Sequence, residues 1–160
     1  MRILKNIFSH LHIFVLWAML SAMLWAWIFT FVTDTTPDKK VTVYCHVPEI
    51  KSTELAIRLE ENMPDGLKMI KVHSFDYVMF NIEAIDKGDI YIIPASETEQ
   101  FADDLAGDGV KVYDCAEGTG IAKEFIGYGE EDYYLFLGAG SVHLEDGKAL
   151  EVAEELLKIK

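Results

Sequence analysis

Leu11 to Val32 is an unbroken run of 22 residues without Asp, Glu, Lys or Arg. A helix rising 1.5 Å per residue would carry this stretch about 33 Å, enough for a hydrocarbon core of about 30 Å. All three tryptophans of the chain (Trp17, Trp25 and Trp27) fall inside it, and Trp25, Trp27 and Phe29 gather near one end. Amphipathic rings favour the headgroup zone at such a position. Residues 11–32 are therefore expected to form a transmembrane helix in the cell membrane, behind a short tail of residues 1–10. A cleaved signal peptide is the competing reading, because Arg2 and Lys5 precede the run. Signal h-regions span about 7–15 residues and end at small residues, and Trp27-Ile-Phe-Thr-Phe-Val32 offers no such site. Basic residues flank both ends, so charge alone discriminates orientation weakly. A short leader before a polar domain favours a single pass with the C-terminal domain extracytoplasmic. Ala18, Ala22 and Ala26 recur every four residues, a spacing that permits close helix contact and a homodimer.

Thr33 to Lys40 is short and polar, contains Pro37, and reads as a stalk. Residues 41–160 are 120 positions, the size of one domain. They hold 10 Lys and Arg against 25 Asp and Glu, a net charge of −15. Such a surface repels nucleic acid and anionic lipid, and it suits either plain solubility or a basic partner. Cys45 and Cys115 are the two cysteines. Each follows an expected strand, so they can pair as a disulfide or remain buried free thiols. Neither CxxC nor zinc-type spacing occurs.

Val41–Cys45 is rich in β-formers and is followed by Pro48. Ser52 or Thr53 can cap a helix through about Asn62, with Ala56, Leu59 and Met63 on one side. Pro64-Asp65-Gly66 marks a turn, and Leu67–Val72 a second strand. Ser74 or Asp76 opens a helix carrying Val78, Ile82 and Ile85, with Gly88 as its left-handed cap. The continuous apolar run Asp89–Pro94 predicts a central parallel strand covered on both faces. Ser96-Glu97-Thr98-Glu99 has the form of a capping box, starting a helix with Phe101 and Leu105 that stops at Gly107 or Gly109. Val110–Asp114 and Tyr133–Leu137 are further strands. Between them Gly118-Thr119-Gly120 is a turn, and Ile121–Tyr128 is a helical turn or a short strand. A last helix from Gly147 shows Leu150, Ala153 and Leu157 inward, with Val152 and Leu156 beside them. This order calls for an α/β domain with a mostly parallel, doubly wound sheet in a three-layer α/β/α arrangement.

Ligands on such sheets bind beyond the carboxyl ends of the strands. That rule selects a polar rim of Ser52, His73, Ser74, Ser96, Thr98, Asp114 and Thr119 as the candidate ligand-binding residues, at strand ends and helix N-termini. Lys39-Lys-Val-Thr-Val-Tyr44, Leu67-Lys-Met-Ile-Lys-Val72, the passage Ala84 to Ser96 and Tyr133-Tyr-Leu-Phe-Leu137 with Ser141 and Ala149–Leu157 together resemble one lobe of extracytoplasmic solute-binding proteins of the type II periplasmic-binding fold. The resemblance implies a binding or sensing module beside a transport system. Members of that family close two lobes on a solute, whereas about 20 residues separate Asp114 from Tyr133 here. One lobe cannot enclose 70–90% of a small ligand, so a protein partner or a second copy would have to supply the other wall.

Catalytic chemistry has no identifiable seat. His46, His73 and His143 do not recur at i, i+3 or i+4 on one element, so no metal site is expected. Cys45 and His46 are adjacent on a strand and point to opposite faces, which argues against a nucleophile–base pair. Gly118-Thr-Gly120 and Gly138-Ala-Gly140 are neither dinucleotide nor phosphate loops, so no cofactor is expected. Glu130-Glu131-Asp132 reads as a solvated loop. The expected role is solute binding or sensing. A protein-interaction module with an acidic face and no small ligand is the alternative, and a hydrolase or thiol oxidoreductase is a remote third.

Overall fold

A computed structural model describes residues 11–33, 35–75 and 88–160. The chain divides into two compact units, residues 1–35 and residues 36–160. In the first unit, α1 (Leu11–Thr33) is helical, and all its described side chains, residues 13–29, are exposed. Among the described residues, no helix is long and apolar enough to cross a membrane, so the transmembrane span expected at 11–32 is corrected. The single-pass assignment that rested on it falls with it. The Ala18, Ala22 and Ala26 stripe is part of this exposed helix.

In the second unit, a 3₁₀ turn (Pro37–Lys39) leads into β1 (Lys40–Cys45). There follow β2 (Glu49–Ile50), α2 (Ser52–Glu60), β3 (Met69–Ser74), β4 (Ile90–Pro94) and a 3₁₀ turn at Ala95–Glu97. The chain continues through β5 (Leu105–Asp114), β6 (Thr119–Gly120), β7 (Ile126–Gly127), β8 (Tyr133–Gly138) and α3 (Lys148–Lys158). Six strands form one sheet in the order β3-β1-β4-β8-β5-β6, and β2 pairs with β7 separately. β1 runs parallel to β3 and β4, but β4–β8, β8–β5 and β5–β6 are all antiparallel. The result is a mixed sheet curled into a half-barrel, not the expected mostly parallel, doubly wound one.

The departure starts at Ser96. The Ser96–Glu99 capping box starts no α-helix; a single 3₁₀ turn follows, and β5 already begins at Leu105. Local bonds divert the backbone: the Thr98 hydroxyl donates to the Ala95 carbonyl at 3.0 Å, and such bonds compete with helix formation. Gly107 and Gly109, expected to end a helix, instead lie in an irregularity of β5 between Ala106 and Val110. Gly107 has φ +73°, and a Cβ on Gly109 would run into the Phe136 ring, so both need glycine there. The segment between β5 and β8 contains only two-residue strands and turns. It builds no crossover helix of the kind a parallel return usually uses, and β8 comes back antiparallel and slots between β4 and β5.

The described helices of this unit, α2 and α3, pack on the same sheet face. Leu55 and Leu59 of α2, with Val152, Ala153 and Leu156 of α3, share one core with Val41, Val43, Cys45, Ile70, Ile90 and Ile92. The inward face of α3 is Ala149, Val152, Ala153 and Leu156; Leu150, expected inside, is 51% exposed. The opposite sheet face carries a smaller cluster of Phe75, Tyr91, Ile93 and Phe101. The helix expected after Ser74 or Asp76, with Val78, Ile82 and Ile85, lies outside the described residues. β4 is buried along its whole length, as its continuous apolar run required.

Candidate functional site

The mixed topology still gathers strand ends at one edge. β1, β3 and β4 end together, because Cys45 faces Ser74 on one side and Ile92 on the other. β8 is reversed, so its first residue, Tyr133, faces Pro94 at the end of β4. β5 reverses again, and its Tyr113 faces Tyr133. The ends of β1, β3, β4 and β5 and the start of β8 thus form one rim.

Backbone and side-chain bonds knit this rim across strands. His46 N–H donates to the Ile92 carbonyl and Phe75 N–H to the Cys45 carbonyl, each at 2.8 Å. Ala95 N–H donates to the Asp132 carbonyl at 2.8 Å, and Ser96 N–H to Glu131 Oε2 at 3.2 Å. Cys115 N–H donates to Asp132 Oδ1 at 2.9 Å. Lys111 sits between two carboxylates, 2.6 Å from Asp114 Oδ2 and 2.8 Å from Asp132 Oδ2. Its ammonium holds both carboxyls below the usual range, and they in turn raise the lysine. On the other half of the rim, His46 Nδ1 lies 2.7 Å from Glu97 Oε2, and the imidazole stacks on Phe75 with ring centres 4.8 Å apart. Beside these groups Tyr113, Tyr128 and Tyr133 form an aromatic cluster, with Tyr113 and Tyr128 stacked at 4.4 Å.

The residues expected at the rim are scattered along it. Ser96, Thr98 and Asp114 lie within the bonded network. Thr119 faces Asp114 on the short strand β6, with its hydroxyl 3.5 Å from Glu117 Oε2. His73 and Ser74 lie on β3 at the sheet edge; the His73 ring stacks on Tyr44 at 5.5 Å. Partial burial, then Lys71 and Lys40, lower the His73 pKa and favour its neutral form. Ser52 opens α2. Glu97, Lys111, Glu131 and Asp132, which hold the rim together, were not selected. Asp132 immediately precedes a strand, and only an antiparallel β5–β8 pairing brings it level with Asp114.

Cys45 and Cys115 are free thiols, which corrects the disulfide considered above. β4 and β8 lie between their strands, so three strand spacings, about 14 Å, separate them along the sheet. A disulfide requires Cα atoms within about 7 Å. The Cys45 thiol is buried in the helix-covered core, and burial pushes its pKa to about 12. It is therefore no thiolate partner for His46. Among the described residues, no group of three His, Cys, Asp or Glu could hold a metal ion. A shallow cavity of about 250 Å³ lies away from the rim, lined by Arg58, Leu59, Asn62, Glu155, Lys158 and Ile159.

What the rim offers is an acidic ledge. Glu97 lies just after β4, Asp114 at the end of β5, Glu117 just after it, and Glu130, Glu131 and Asp132 just before β8. No family model, no curated protein and no solved structure matches this chain.

Proposed function

We propose that residues 36–160 act as a protein-interaction module whose acidic rim receives a basic segment of a partner protein. The observation that carries this reading is the gathering of carboxylates at one end of the sheet around a lysine already shared by two of them. The net charge of −15 over residues 41–160 adds a long-range field of the same sign. The reading is non-catalytic. Its fit lies in the bonded cross-strand framework, which fixes where the carboxylates stand before any partner arrives, so little ordering cost remains for binding.

A single lobe pressing a small solute against a second wall, as the solute-binding resemblance implied, is the other proposal. The part-buried rings of Tyr113 and Tyr128 favour it, since flat rings can stack on a ligand. Salt separates the two. The full chain should bind a Lys- and Arg-rich peptide with an affinity that falls about tenfold or more between low and physiological salt, where the screening length shrinks to about 8 Å. Reversing two exposed charges, Glu117→Lys and Glu130→Lys, should weaken binding further. Affinity indifferent to both salt and charge reversal would refute the acidic-ledge reading.

A further inference from the structure

Away from the rim, His143 is buried to 1% exposure in the loop between β8 and α3. Its Nε2 faces two backbone carbonyls, Pro37 O at 3.0 Å and Lys40 O at 3.1 Å. Its Nδ1 faces Asp146 Oδ2 at 3.1 Å. A carbonyl can only accept, so Nε2 must carry a hydrogen. Lys148 Nζ lies 2.8 Å from the same Asp146 oxygen, and its hydrogen bonds keep that carboxyl well below the usual range, hence ionised. An ionised carboxylate also only accepts, so Nδ1 must carry a hydrogen as well. A neutral ring would leave one nitrogen lone pair facing oxygen lone pairs. Both ring nitrogens of His143 thus face oxygens that accept.

The same loop is anchored from its other side. Asp89, 3% exposed, accepts from Thr42 N–H at 2.7 Å and from the Ser141 hydroxyl, while Ser141 Oγ accepts from His143 N–H at 3.0 Å. The charged or titratable groups around the ring are Asp146 in its own loop, Lys148 at the start of α3, Asp89 before β4, and Asp38, Lys39 and Lys40 at the entry to β1.

We propose that His143 is a proton-operated latch. As imidazolium it clasps the segment Pro37–Lys40, the lead-in to β1, onto the loop Ser141–Asp146. On losing a proton the ring can satisfy the carbonyls or the carboxylate but not both, and the lead-in is released.

The test uses the full chain. Ring ¹⁵N spectra should show both His143 nitrogens protonated in the latched state. As pH rises and the ring loses a proton, hydrogen-exchange protection should fall about tenfold or more at the Lys39 amide, which donates to the Thr36 carbonyl, and at the Lys68 amide, which donates to the Lys39 carbonyl. The substitution His143→Gln should remove this pH dependence and leave protection at one fixed, lower level. A wild-type ring bearing a single proton throughout the folded pH range would overturn the proposal, and that reading does not depend on the variant folding. Protection at Lys39 and Lys68 unchanged through the ring's titration would overturn it equally.

Discussion

At the residue scale, neighbouring positions at the end of β1 meet opposite fates. Cys45 points into the core beneath α2 and α3, while His46, one residue on, reaches Glu97 and Phe75 at the rim. That alternation follows from the two-residue period of a strand. It makes the two cysteines chemically distinct, because Cys45 is fully buried with its thiol pushed to about 12, whereas Cys115 is part-exposed at the end of β5. A thiol reagent at mildly alkaline pH should therefore label one equivalent in the native protein, and Cys115→Ser should abolish that labelling. Two equivalents appear only after unfolding. Rapid native labelling of both thiols would contradict the placement of Cys45. Legibility of the rim in the sequence is uneven for a physical reason. Ser96, Thr98 and Asp114 stand at or just past strand ends, which the local hydrophobic pattern marks. Lys111 and Asp132 were missed because they meet only across an antiparallel pairing that hydrophobic pattern does not encode.

At the scale of elements, β1, β3, β4, the end of β5, β8, α2 and α3 were all visible in the sequence, within a few residues. Their apolar runs and turn residues are local signals, and local signals survive folding. Strand direction is not local. The expected helix after Ser96 had a capping box and an apolar pair, Phe101 and Leu105, yet β5 claims Leu105, and Phe101 packs in the cluster behind Tyr91 and Ile93. Tertiary pairing outweighed propensity there, as it does in most short segments. For α3, periodicity identified the helix but set its inner face one position off. Leu156 is fully buried and Leu150 is half exposed. Leu156→Ala should cost about 2–5 kcal/mol, as buried leucines usually do. Leu150→Ala should stay within about 0.5 kcal/mol, as exposed positions do. Denaturant melts of the two variants check this, and equal losses would mean that α3 is rotated from the face described.

On the scale of the whole molecule, one topological event shapes both the fold and the candidate site. Insertion of β8 between β4 and β5 turns an expected parallel sheet into a mixed one. It also brings Asp132 to Asp114 and Lys111, and Glu131 to Ser96, which creates the acidic ledge. Without that insertion the carboxylates would be dispersed and the proposed binding surface would not exist. The insertion is testable by short interstrand Hα–Hα contacts in nuclear Overhauser spectra of the full chain. The account predicts such contacts at alternate members of the facing pairs from Ile90–Leu137 to Pro94–Tyr133, the signature of antiparallel neighbours. Contacts from β4 to Val110–Asp114 instead, with none to β8, would contradict it.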